Sequence, residues 1–364
     1  MFKNKYLFSV VTAFSMFILS CSGGSPDEPS LPDPEPDPTP DVPAERTDKV
    51  VVAYVTSWSS CDVNPDFMTH VNYAFGHVTD DFSGVRIDNE SRLRTITDKK
   101  RMYPKLNVLL SVGGWGSGRF SEMAADETYR KKFAADCKRV CDEFNLDGID
   151  IDWEFPTTDA GGEISCSPDD TRNYTLMMRD IREAIGGDKF LTLATSVGAG
   201  YIDFRDILPY IDFVNIMAYD MNNAPHHNAS LYRSDISGWI TADEGVRKHL
   251  DAGVPASKLV LGMPFYGHGR SPYGQTVDFK DIRVLDGCTE KWDNVAMVPY
   301  MANSKGELVL GFDNARSLRI KCEYAVDNGL HGVMYWDYDG DNIQSTLRRA
   351  VATAILNYPD FTNK

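Results

Sequence analysis

The sequence predicts an α/β fold of the (β/α)8 TIM barrel class, with a small insertion between strands seven and eight. Three observations carry this. Eight short, apolar, β-rich runs follow one another from residue 50 onward. Most are separated by stretches in which apolar residues recur at helical spacing. Several runs are apolar almost throughout, as parallel strands covered on both faces require, and eight such alternations fit a closed barrel. A doubly wound open sheet would also alternate. It usually carries a Gly-rich phosphate turn after an early strand, and no GxGxxG stands there.

Residues 1–20 precede the fold. Lys3 and Lys5 are followed by an apolar run from Tyr6 to Leu19 that ends at Ser20-Cys21. A basic start, a short apolar segment and a small residue before the break describe a secretory signal. The run is short for a membrane span. Ile18-Leu19-Ser20-Cys21 is similar to a bacterial lipoprotein cleavage box, so Cys21 is the expected lipidation site and the expected location is the outer membrane, on its surface or its periplasmic face. The alternative is an ordinary signal peptide that happens to contain Cys21.

Residues 21–48 alternate Pro with Asp and Glu, with Pro at 26, 29, 32, 34, 36, 38, 40 and 43. Such a segment lacks apolar surface to bury and favours extended polyproline conformations. It reads as a semi-rigid tether, and the catalytic domain is placed at 49–358. The formal net charge of -16 argues against a nucleic-acid partner, which needs clustered Lys and Arg. The spacing of the six remaining cysteines does not reveal pairs; Cys137 and Cys141 read as thiols on a helix face. A monomer is the default expectation.

The runs, in order, are VVVAYVTSW (50–58), HVNYAFGHV (70–78), LNVLLSVGG (106–114), LDGIDIDWEF (146–155), FLTLATSV (190–197), DFVNIMAYD (212–220), KLVLGMPFYG (258–267) and HGVMYWDYD (331–339). Helices are predicted at 129–144, 171–185, 241–250, 315–328 and 343–356, with Gly253 and Gly329 where C-terminal caps belong. About 45 residues, 268–312, separate the seventh run from the next helix. They carry Tyr273, Val277, Phe279, Trp292, Val298 and Tyr300, and a small insertion with some β-structure on the barrel's upper face is the expectation.

The fourth run sets a puzzle, because Asp150, Asp152 and Glu154 alternate with Ile149, Ile151, Trp153 and Phe155. Residues i, i+2 and i+4 of a strand share a face. In a barrel the acids must then look inward and rise towards the C-terminal mouth, where active sites of this fold lie. Side chains about 6–7 Å apart along such a row repel by roughly 2–3 kcal/mol when charged. They are expected to share protons, with Glu154, the outermost, as proton donor. The alternatives are a solvated acidic edge and a divalent-metal site built on three carboxylates.

DGIDIDWEFP (147–156) resembles the DxxDxDxE signature of glycoside hydrolase family 18, the chitinase-type enzymes. SVGG (111–114), MAYD (217–220) and Trp336 resemble that family's motifs on strands three, six and eight, and the resemblance covers roughly residues 49–357. HHNASLY (226–232) is similar to the family's loop after strand six. The resemblance implies hydrolysis of β-1,4 bonds next to N-acetylglucosamine, with retention, through attack by the substrate's own N-acetyl oxygen and an oxazolinium intermediate. It implies catalytic roles for Glu154 as acid and then base, Asp152 as orienter of the acetamido group, Asp150 as its proton-sharing neighbour, and Tyr219 as donor to the acetamido oxygen. Asp220 and Met217 would shape the pocket and Trp336 would stack beneath the sugar. Asp147 reads as structural.

Trp115 and Trp58, at strand ends, read as sugar platforms or rim packing. Tyr54 reads as core or as a substrate contact, and Tyr266 and Arg270 as candidate sugar contacts. His226 and His227 could serve as metal ligands, but read as loop residues meeting substrate or solvent. No cofactor and no metal is expected. The substrate is expected to be chitin or chitooligosaccharides. The alternatives are an endo-β-N-acetylglucosaminidase acting on the chitobiose core of N-glycans and, from another class, a non-catalytic glycan-binding lipoprotein.

Overall fold

Eight parallel strands close on themselves: β1 (Val50–Thr56), β2 (His70–Val78), β3 (Asn107–Gly113), β4 (Gly148–Asp152), β5 (Phe190–Ser196), β6 (Phe213–Met217), β7 (Leu259–Pro264) and β8 (Gly332–Trp336). Each pairs with the next in chain order, and β1 pairs with both β2 and β8. This computed structural model describes residues 48–159 and 164–358. The predicted signal, Cys21 and the tether up to residue 47 lie outside the described residues. Among the described residues no helix is long and apolar enough to cross a membrane.

The helices are α1 (Glu90–Asp98), α2 (Phe120–Ala125), α3 (Glu127–Phe144), α4 (Asp170–Ile185), α5 (Phe204–Ile207), α6 (Ala242–Asp251), α7 (Ala315–Asp327) and α8 (Thr346–Leu356). The short α1, α2 and α5 escape a periodicity reading, because each offers only one or two turns of pattern. Thr241 and Glu244 form a capping box at the start of α6, which satisfies two otherwise orphaned N–H groups. Gly253 and Gly329 take positive φ just after α6 and α7, as expected of helix-ending glycines. Cys137 and Cys141 are buried on α3.

The strands end earlier than the apolar runs. β4 stops at Asp152 and β6 at Met217, so Glu154, Tyr219 and Asp220 stand on segments that leave the barrel. The alternation holds as far as Trp153, which faces outward between Phe120 of α2 (5.3 Å between ring centroids) and Tyr174 of α4 (5.8 Å). Phe155 departs from it. It lies at the mouth against Tyr201, 5.2 Å away, because the strand that enforced the alternation has ended.

Between β7 and β8 the chain builds a five-stranded antiparallel sheet. Its strands lie in the order Thr276–Asp278, Tyr266–Gly269, Leu308–Gly311, Val298–Asn303 and Cys288–Asp293. It starts at Tyr266, two residues before the predicted insertion, and has its own small core of Tyr273, Cys288, Met301, Val309, Leu310 and Phe312. Two buried polar contacts tie it down. His227 Nε2 lies 3.0 Å from Asp293 Oδ2, so this histidine is neither a substrate nor a solvent contact. Lys321 of α7 bonds both oxygens of Asp313 at 2.7 and 2.8 Å with neither side chain exposed. A pair so fully desolvated is tolerated only because each charge has its partner.

Candidate active site

The site is assembled at the C-terminal mouth by close backbone approach between β3 and β4. Gly113 has φ +128°, and a Cβ there would sit 1.9 Å from the carbonyl oxygen of Asp152. Gly114 has φ +90°, donates its N–H to that same oxygen at 2.8 Å, and would drive a Cβ into the Phe75 ring. Only glycine meets both demands. The SVGG stretch is therefore the seat of the acidic strand.

Asp150 and Asp152 are buried on the inner face of β4, but their surroundings differ. Asp150 Oδ2 accepts hydrogen bonds from Tyr54 Oη (2.8 Å) and Ser111 Oγ (2.8 Å); Oδ1 accepts from Thr192 Oγ1 (2.6 Å) and Asn215 Nδ2 (3.2 Å). Four strands thus converge on one carboxylate. Both oxygens of Asp150 are thereby held in place directly below Asp152 on the same strand face. Burial pushes its proton affinity up and the four donors pull it back. Asp152 has no such cage. Its Oδ1 is buried without a hydrogen-bond partner. Burial first, then the charges of Glu154 and Asp150, hold it well above the usual carboxylate range.

Glu154 sits half-buried just past the strand, and its carboxyl is raised to about 7. The larger cause is loss of solvent, with the charge of Asp220 second. Repulsion along the strand, which sequence reasoning put first, is the lesser effect: burial penalises every ionised form, whereas repulsion needs a second ionised group. Asp147, at the other end of the segment, bonds Lys100 Nζ and the Val108 N–H, each at 2.8 Å. It fastens the start of β3 and is remote from the mouth.

Two adjoining cavities meet at Glu154. The inner one, about 250 Å³, is lined by Tyr54, Trp58, Phe75, Trp115, Asp152, Ala194 and Trp336, together with Glu154, Met217, Tyr219 and Asp220. The outer one, about 630 Å³, shares Trp115, Glu154, Met217, Tyr219 and Asp220 and adds Phe155, Tyr201, Trp239 and His268. Trp336 forms the aromatic wall of the inner cavity, 5.7 Å from both Tyr54 and Phe75. Trp115 is 65% exposed at the rim. Tyr219 is almost wholly buried, with its hydroxyl 3.8 Å from Met334 Sδ.

Tyr54 is inside the barrel, where its hydroxyl serves Asp150 and its ring lines the inner cavity. Tyr266 donates to Asp220 Oδ1 and packs its ring 6.3 Å from that of Tyr219. Arg270 pairs with Glu307, 3.1 Å away. Sequence reasoning missed Ser111, Thr192, Asn215 and His268. Ser111, Thr192 and Asn215 carry one common signal, a polar residue flanked on both sides by apolar ones within a strand run.

Residues 50–341 match the model of glycosyl hydrolases family 18. Chitinase A1 of Niallia circulans is 30% identical over 85% of this chain, which spans 60% of that protein's length. Chitotriosidase-1 of Mus musculus is 30% identical, with 82% of this chain and 74% of that protein covered. Among solved structures, a family 18 N-acetylglucosaminidase from Paenibacillus barengoltzii is similar with a TM-score of 0.76 at 32% identity, covering 84% of this chain and 99% of its own.

Proposed function

Given that the chain belongs to glycosyl hydrolases family 18, we propose that it hydrolyses β-1,4 bonds of chitin or chitooligosaccharides with retention of configuration. The observation that carries this reading is the contrast at the mouth. A carboxyl raised to about 7 stands beside a buried carboxyl whose Oδ1 lacks a partner, in a cavity walled by tryptophans. A group with that proton affinity is a competent acid near neutrality.

The sugar on the nonreducing side of the bond occupies the inner cavity over Trp336, and the leaving sugar extends into the outer one. Asp152 Oδ1 accepts the acetamido N–H, and the Tyr219 hydroxyl donates to the acetamido oxygen. That oxygen attacks the anomeric carbon while the glycosidic C–O bond breaks and Glu154 transfers its proton to the leaving oxygen. The oxazolinium cation is stabilised by Asp152 and by a preorganised, largely dry site. Water then adds to the anomeric carbon, Glu154 takes its proton, and the acetamido group is restored. Asp150, caged by four donors, holds the floor beneath Asp152.

Chitohexaose and a high-mannose glycoprotein, assayed side by side across pH, test this. Shorter chitooligosaccharides are the expected products. The sign of the pH dependence follows from the acid role: Glu154 must enter protonated, so kcat/KM falls as pH rises through about 7. Release of the intact glycan from the glycoprotein, with chitohexaose untouched, transfers the reading to an endo-β-N-acetylglucosaminidase. Binding of sugar without turnover of either substrate refutes the enzyme.

We also propose that the mature chain is exported and carried on a lipid at Cys21, with the Pro/Asp segment as its tether. The leader and the cleavage-box pattern support this. Labelled fatty acid is expected in the wild-type chain and absent from Cys21→Ser; label in neither would refute it.

A further inference from the structure

His268 lies in the strand Tyr266–Gly269, which is paired on both edges: His268 stands opposite Thr276 on one side and Gly311 on the other. Its backbone is held, and its side chain is only 14% exposed. Nε2 lies 2.6 Å from Asp220 Oδ1, and Nδ1 lies 3.0 Å from the carbonyl oxygen of Gln275, with the Thr276 hydroxyl at 3.4 Å. A carbonyl and an ionised carboxylate can only accept. A neutral imidazole has one N–H and would turn a lone pair on one of the two oxygens, whereas an imidazolium donates to both.

Asp220 is held at several points although its side chain is 57% exposed. It adopts φ +54°, its N–H donates to Asn228 Oδ1 at 2.9 Å, and the Tyr266 hydroxyl donates to the same Oδ1 that faces His268. It lines both cavities beside Glu154. We infer that His268 is a positioning residue which, as an imidazolium bonded to both Asp220 and the Gln275 carbonyl, holds the Asp220 side chain in place and partly cancels its field at Glu154, so setting the alkaline edge of the reaction. The inference rests on the hydrolase reading above.

The surroundings leave this role to His268. Tyr266 on its own strand, Asp278 on the neighbouring strand and Asp337 after β8 line a small cavity of about 190 Å³ with His268 and Asp220. The paired strand Leu308–Gly311 brings no ionisable side chain. Lys280 is tied to Asp278 (3.1 Å) and Asp339 (3.3 Å). Among the described residues, the cation within ion-pair distance of Asp220 is His268. Its proton affinity is raised by Asp220 in spite of burial.

The test is the pH profile of kcat/KM on chitohexaose for wild type, His268→Gln and His268→Arg. Gln can keep one hydrogen bond to Asp220 but not the charge. The uncancelled Asp220 then holds the Glu154 proton more tightly, and the alkaline edge moves up by on the order of one pH unit. Arg keeps a cation, and its edge stays near the wild-type position. Coincident edges in wild type and His268→Gln overturn the inference. Titration of the His268 ring by NMR in the intact chain gives an answer independent of turnover. Its pKa is expected above the ordinary 6.5 and lower in Asp220→Asn; a wild-type ring titrating below 6.5 overturns the inference too. A chain that hydrolyses nothing refutes the hydrolase reading, while the ring titration still decides the clamp.

Discussion

Glu154→Gln lowers kcat/KM on chitohexaose by about 10²–10⁴-fold, the range that a positioned general acid–base group contributes. The substitution keeps the size of the side chain and removes the transferable proton. Binding of chitooligosaccharide is expected to change little, because Trp115, Trp336 and Tyr219 among the cavity walls supply the contact area. Steady-state kinetics combined with equilibrium binding separates the two effects. A loss below tenfold would remove Glu154 from the acid role. A matched collapse of binding would instead mark it as a structural contact.

Asp152→Asn comes second, with an expected loss of about 10²–10³-fold in kcat, of the order measured when one preorganised partner of a developing charge is removed. The buried, unpartnered Oδ1 is the reason for choosing this carboxyl. A polar atom kept dry with nothing to bond costs stability in the free protein, and a substrate N–H would restore the missing bond. Asn keeps the shape but brings no negative charge to an oxazolinium cation. The loss should therefore fall on kcat more than on KM, and a thiazoline mimic of the cation should inhibit the variant more weakly than wild type. Unchanged thiazoline inhibition alongside reduced kcat would point away from substrate assistance.

Some of this architecture was written plainly in the residues. Eight apolar runs that must each cover two faces, with no Gly-rich phosphate turn after an early strand, predict a closed barrel, and the parity of DGIDIDWEFP predicts an inner acidic row with Trp153 outside. Other features were hidden for identifiable reasons. The donors to Asp150 come from residues 39 to 96 positions away, and one polar side chain in an apolar strand does not reveal its partner. His227 belongs to a loop whose neighbour, the inserted sheet, is 66 residues further on. Phe155 obeyed the alternation in the sequence and broke it in the fold, because side-chain parity lasts only as long as the strand.

By itself the sequence determined the alternating α/β architecture, the inward direction of Asp150 and Asp152 and the gathering of acids and tryptophans at one end. Those follow from local rules: period-two alternation and the burial of apolar runs, whereas the need for glycine at 113 and 114 comes from Asp152 and Phe75 packed against them. Only the tertiary structure decided how two acids on one strand came to differ. Asp150 is enclosed by hydroxyls and an amide from four strands, while Asp152 is left dry and unpaired and Glu154 is lifted to about 7 by burial and Asp220. Proton affinity is a property of surroundings rather than of residue type, and those surroundings exist only once β1, β3, β5, β6 and the inserted sheet have met.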